Sequence, residues 1–413
     1  MENPYLDNAL RYLRQTLAGL RCAFSLKLPA PNALHPEADT RKLSIAICER
    51  TPQEQAMEYH FAQGQFLARQ ERWDDLALML RSLDHQRATT PGGTPVAEVL
   101  AQAARADAVD CARAAVQQGD VQGALAPLAA LEEVLADHPG DHTVGLVVAM
   151  AHIDVGWVWR GKALSEEMPP ERRAAFYAHF RSASQIIDQF DPFAQQSPAV
   201  AAARCALLPA EPRPSSRVAD DYEDLIDLDP QCARHMRDLG RHLLPRWYGS
   251  YARLDLEARR TTARTHDIWG GGAYVWVYLD TLASDPGTLE HLDGALFAEG
   301  LHDILERRPD QHTVNLLAAS LAFIQSRRSP LGGTLARVAA CFDCVVRDHL
   351  REVHPMVWAN VPPLDTLQPF ASSPEPLARG KARAMAVLSG LFAEDIRKNR
   401  DIRFDPDGLH ITG

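Results

Sequence analysis

Lysine is scarce in this chain, occurring only at residues 27, 42, 162, 381 and 398, so the positive charge is nearly all arginine. No basic run exceeds pairs such as Arg259-Arg260, and the formal net charge is −11. Nucleic-acid binding through counterion release needs clustered cations, so a general nucleic-acid binder is excluded. Long apolar runs are missing as well. The longest candidates are residues 144–159, interrupted by His152 and Asp154, and residues 273–279, which fall short of the roughly 18 needed to span a bilayer. The start, MENPYLDNALRYLRQ, lacks the basic stretch and apolar core of a secretory signal. Seven scattered cysteines, at 22, 48, 111, 205, 232, 341 and 344, fit free thiols in a reducing compartment. These absences lead to an expectation of a cytoplasmic protein with no membrane partner.

Motifs of the common catalytic classes are also absent. There is no Gly-x-Ser-x-Gly elbow, no phosphate loop ending in Gly-Lys-Ser/Thr, no Gly-x-Gly-x-x-Gly after a strand and no His-Glu-x-x-His. No cofactor and no metal are expected, and no residue is assigned a catalytic role.

What the chain does have is length, helix signals and one concentration of aromatics. At 413 residues it exceeds one ordinary core and reads as two or three domains or a repeat array. Its 46% hydrophobic and 23% charged residues exclude wholesale disorder. Residues 239–280 hold Trp247, Trp269 and Trp276 together with Tyr248, Tyr251, Tyr274 and Tyr278. Rings at that density form either a core or a recognition surface. The rings are expected mainly to lock neighbouring helices together, while Pro245, the charge of Arg246 beside Trp247, and the bare backbone at Gly270, Gly271 and Gly272 leave open a groove for part of the block. The three glycines lack the setting of a phosphate cradle and suit a tight turn or close helix approach.

Helix punctuation runs throughout. Thr51-Pro52 with Glu54 makes a capping box ahead of a helix to about Arg69, and Arg72-Trp73-Asp74-Asp75 opens another to about Leu83. A Gly/Thr/Pro loop at residues 89–95 precedes a helix over 96–118. Residues 1–50 suggest two short helices around Pro29, Pro31 and Pro36, residues 209–217 and 361–376 read as linkers, and residues 399–413 as an irregular tail. Strand-forming residues fill 273–282, but nothing nearby offers a partner strand, so a helix is expected there.

The strongest internal signal is a repeat. Leu135, Pro139, His142, Thr143, Val144, Leu146 and Ala149 recur as Leu305, Pro309, His312, Thr313, Val314, Leu316 and Ala319, at a constant offset of 170. At both places a helix ends, proline bars its continuation and an apolar helix starts, as in stacked helical hairpins. His142, Thr143, His312 and Thr313 then fall in a first helical turn, where they can meet orphan backbone groups.

Two other groupings have the residue types of metal sites. Cys341, Cys344, His349 and His354 have knuckle-like spacing but lie on one expected helix over 338–353, where they cannot converge on one ion, so the thiols are expected to be buried. His138, Asp141 and His142, with His152 and Asp154, lack an obvious third ligand.

Residues 235–250, from His235-Met-Arg-Asp-Leu-Gly240 to Leu244-Pro245-Arg246-Trp247-Tyr248-Gly249-Ser250, and Trp159-Arg160-Gly161 upstream, carry a resemblance. They resemble a bacterial family of helical proteins that pairs a Trp-x-Arg-Gly element with a Leu-x-Pro-x-Trp-Gly-Gly-Ser element in a tetratricopeptide-like setting. The likeness covers about residues 120–280, and Tyr248 replaces the first glycine of the second element. It implies partner binding but no particular activity.

The expected architecture is an all-α, right-handed α-solenoid of tetratricopeptide-like hairpins. Residues 1–118 form an N-terminal helical region, 119–345 the repeat region and 346–413 a C-terminal helical cap and tail. The expected function is a non-enzymatic scaffold whose protein partner meets Trp159, Arg160, Arg246, Trp247, Tyr248, Ser250, His266, Asp267 and Trp269. The alternative is a small-ligand binder or enzyme, with Arg246 holding an anion and His266–Asp267 moving protons. In a third reading the aromatics are purely structural.

Overall fold

The computed structural model describes residues 42–161, 168–326, 332–361 and 375–413, and these are predominantly α-helical. The described residues divide into two compact units, one of residues 54–235 and the other of residues 236–413 with residues 42–53. This partition differs from the three regions expected, because short strands tie residues 43–47 to the C-terminal unit.

The first unit is built of helices Pro52–Arg69, Trp73–His85, Val96–Gln118, Val121–Asp137, His142–Arg160, Pro170–Ile187, Pro198–Leu207 and Pro214–Leu228. Most begin at the proline, serine or aspartate signals read from the sequence. Pro214–Leu228 starts inside the expected linker over 209–217, because proline fits the first helical position as readily as it fits a loop. His142–Arg160 is apolar on nearly every face and is the most enclosed of these helices, as its composition implied. Among the described residues it alone is long and apolar enough to cross a membrane, and 78% of the qualifying window is buried. Its closest neighbour is Pro170–Ile187. Gly156 permits that approach, since a methyl group there would come within 2.9 Å of the Phe180 ring.

The second unit holds helices Tyr251–Arg264, His266–Trp269, Gly272–Ser284, Thr288–His291, Gly294–Arg307, Gln311–Ser326, Gly332–Cys344, Pro355–Asn360, Pro376–Leu391 and Ala393–Arg397. Residues 273–282 are helical despite their strand propensity, and Tyr274, Val275, Val277, Tyr278 and Leu279 are fully buried. The tail corrects the expectation of irregular structure. Strand β4, Asp401–Asp405, forms a hairpin with β5, Gly408–Thr412, and pairs in parallel with β1, Leu43–Ser44. Ile402 and Phe404 point into the core, and Asp405 closes the turn by accepting from the amides of Asp407 at 3.0 Å and Gly408 at 3.2 Å. Strand β2, Ala46–Ile47, pairs in parallel with β3, Glu352–Val353. The expected continuous helix over 338–353 is therefore wrong: Gly332–Cys344 widens to a π-turn at Val345–His349, and the chain then becomes extended. Farther back in the chain, the helix Pro214–Leu228 ends at Asp229, ahead of a separate helix Ala233–His242. The helices expected around Pro29, Pro31 and Pro36 and most of the 361–376 loop lie outside the described residues.

At the two repeated junctions, helices start at His142 and Gln311, but their caps differ from the expectation. Asp141 accepts from the amide and hydroxyl of Thr143 at 2.9 and 2.7 Å. Asp310 does the same for Thr313, both at 2.9 Å. The carboxylates cap the helices, and the threonines hold them in place. His142 instead lies edge-on to Phe190, with ring centroids 6.3 Å apart.

Candidate functional site

The aromatic block separates into a buried half and an outward half. In the buried half, the hydroxyls of Tyr274 and Tyr278 donate to Asp255 Oδ1 at 2.8 and 3.2 Å, and Arg259 Nε donates to Asp255 Oδ2 at 2.9 Å. The amide of Asp293 donates back to the Tyr274 hydroxyl at 3.0 Å. Burial pushes both phenols well above their ordinary range. Trp269 and Trp276 meet edge-on at 5.8 Å, and Arg308 covers the Trp269 ring at 5.5 Å. Gly270, at φ 58°, and its two glycine neighbours let the backbone pass against Asp303, Gly300 and Ile304. These rings join helices, as the structural reading holds for this half.

The outward half is the turn between Ala233–His242 and Tyr251–Arg264. Proline stops the helix, and the amides of Trp247 and Tyr248 return to the carbonyls of Leu244 and His242 at 2.9 and 3.0 Å. Arg246 and Ser250 are exposed, while Trp247 and Tyr248 are half-buried. Beneath them lies buried His242. Tyr248 stacks parallel to its imidazole at 5.7 Å, and Trp247 meets it edge-on at 5.9 Å. Arg246 Nη1 donates to the Ser284 carbonyl at 3.4 Å, and Tyr251 donates to Asp285 nearby. Ser250 has a local task too, capping the next helix by accepting from the Arg253 amide at 3.2 Å.

His266 and Asp267 are exposed at the other end of Tyr251–Arg264. That helix has 14 residues, a length of about 21 Å. Arg246 and His266 therefore cannot act on one small ligand, and the joint anion-binding and proton-transfer site is corrected on this ground. Trp159 and Arg160 belong to the first unit. Trp159 is buried, and the Arg160 guanidinium sits over Trp157 at 5.0 Å. No family model matches the chain, and no curated protein or solved structure matches it either.

The spaced Cys/His set does not assemble. Cys341 and Cys344 are half-buried rather than fully buried, and Cys344 Sγ lies 3.3 Å from Asp348. Nor does the second set: Asp141 is a cap, Asp154 pairs with Arg105 at 2.7 Å, and His152 bridges Glu132 and His179 at 3.0 and 3.2 Å. Two donor clusters that the spacing reading overlooked do assemble. They are Asp229, Cys232 and His235 in the first unit, and Cys48, Glu352 and His354 in the second. The signal for the former was a three-residue spacing across a proline-turned junction.

Burial, with Arg241 adding to it, pushes the His242 imidazole down to about 3. The folded state thus holds it neutral, and its contribution to stability is complete above about pH 6.5 and is lost as pH falls from there toward 3. Replacement by phenylalanine should remove about 2 kcal/mol of the stability lost between pH 6.5 and 5. Urea unfolding of wild type and His242→Phe at the two pH values measures it, and equal losses in both proteins would refute the assignment.

Proposed function

We propose that this protein is a helical-repeat scaffold that binds a partner protein through the turn at residues 245–248. The reading rests on one observation: an exposed arginine beside two half-buried aromatics, seated on a neutral buried histidine. Tryptophan, tyrosine and arginine are the residues that most often dominate binding energy at protein interfaces. Here the rings are already ordered by His242, so binding costs little further side-chain entropy. The surface fits a partner that offers an apolar side chain next to a carboxylate. The repeated Leu–Pro–His–Thr junctions support a right-handed stack of tetratricopeptide-like hairpins, and with it the likeness to the bacterial helical family.

The test is capture from lysate with wild type and an Arg246→Ala, Trp247→Ala double variant, with folding checked by circular dichroism. A partner bound by wild type should bind the folded variant at least about 30-fold more weakly, the factor for a loss of about 2 kcal/mol. Equal capture by both proteins, or none by wild type, would refute the reading.

A further inference from the structure

We propose that Asp229, Cys232 and His235 bind a single zinc ion. The junction between Pro214–Leu228 and Ala233–His242 brings them together. Pro230 stops the first helix, and the amide of Cys232 donates to the Asp229 carbonyl at 3.3 Å, that of His235 to the Cys232 carbonyl at 3.2 Å. These two successive turns, across the break between the helices, bring carboxylate, thiol and imidazole together.

Their donor atoms all lie within 4.8 Å of one another, and His235 Nε2 is 3.5 Å from Asp229 Oδ2. Zinc bonds of 2.0–2.3 Å in tetrahedral geometry require donor separations of about 3.3–3.8 Å, so small side-chain movements complete the site. All three residues are more than nine-tenths buried, and His235 Nε2 makes no well-formed hydrogen bond beyond that long contact with Asp229. A buried ring nitrogen left so is costly, and a metal bond would satisfy it. The Gly93 carbonyl, 3.8 Å from Cys232 Sγ, offers a fourth donor from the loop at residues 89–95. Thiolate with imidazole selects zinc over magnesium or calcium, and thiolate plus carboxylate balance its two positive charges. Binding displaces the thiol proton to solvent and joins the helix junction to that loop. The ion would therefore be structural, since the cluster is closed to substrate.

The experiment uses the full chain, stripped of metal under reducing conditions and titrated with cobalt(II) as the spectroscopic substitute for zinc. One equivalent should give a thiolate-to-cobalt charge-transfer band and the visible absorption of a tetrahedral ion, both abolished by one equivalent of zinc. Cys232→Ser should lose the charge-transfer band, and His235→Gln and Asp229→Asn should each weaken cobalt binding about 100-fold or more. Cys232→His, which retains a donor, should still bind one ion without the band, separating lost ligation from misfolding. Cys48→Ser should leave the spectrum unchanged. A wild-type protein without the band, a band that survives Cys232→Ser, or one lost only in Cys48→Ser would overturn the proposal.

Discussion

Replacing Asn315 by leucine should destabilise the C-terminal unit by about 3–6 kcal/mol, although the two side chains share the same branched arrangement of non-hydrogen atoms. Asn315 is fully buried and uses both ends of its amide. Its Oδ1 accepts from the His354 amide and from Trp358 Nε1, each at 2.9 Å. Its Nδ2 donates to the carbonyls of Gln311 at 2.8 Å and Glu352 at 2.9 Å. One side chain thus joins Gln311–Ser326 to β3 and to Pro355–Asn360, at the place where the chain passes from extended to helical. Leucine strands at least three buried polar groups, each costing roughly 1–3 kcal/mol. Asn315→Asp keeps the acceptors but buries a carboxylate with one oxygen against the Gln311 and Glu352 carbonyls, so it should destabilise the unit as well. Denaturant midpoints of the three proteins decide the matter, and a loss below about 1 kcal/mol for Asn315→Leu would refute the account.

Arg105→Met should cost the first unit about 3–5 kcal/mol, because it leaves Asp154 with its charge inside the unit and its closest cation removed. The pair connects Val96–Gln118 to His142–Arg160 at 2.7 Å, with side chains only 5% and 13% exposed. The double variant Arg105→Met, Asp154→Leu should regain most of the loss, since apolar groups of similar size need no solvation. A double-mutant cycle measures this coupling. If the double variant loses the sum of the two single losses, the pair is not the unit of stability described here.

Both predictions concern contacts between helices far apart in sequence, and that marks the limit of what could be read from residue order. Helix starts were legible because their signals are local: Thr51-Pro52 with Glu54, and Arg72-Trp73-Asp74-Asp75, each mark a start within four residues. The glycines at 270, 271 and 272 were legible as a place of close approach for the same reason. The C-terminal hairpin was legible in part but missed. Ile402 and Phe404 alternate and Pro406-Asp407-Gly408 is a turn signal, yet β1, which completes the sheet, lies more than 350 residues away.

The candidate surface was legible as a concentration of aromatics but not as two halves. Which rings turn inward depends on Asp255, which satisfies Tyr274 and Tyr278, and on His242, which supports Trp247 and Tyr248 from below. Likewise, cysteine and histidine spacing favoured residues 341–354, whereas the clusters that formed depend on a helix break at Asp229 and on a strand pairing at residue 46. The sequence by itself determined the helical class, the helix starts and the stretch where aromatic residues concentrate, because propensity, capping and periodicity act over a few residues. Only the tertiary structure decided the partition into units, the strand pairings, the buried half of the aromatic block and the donor clusters. Those depend on which distant groups share an interior where every polar atom needs a partner.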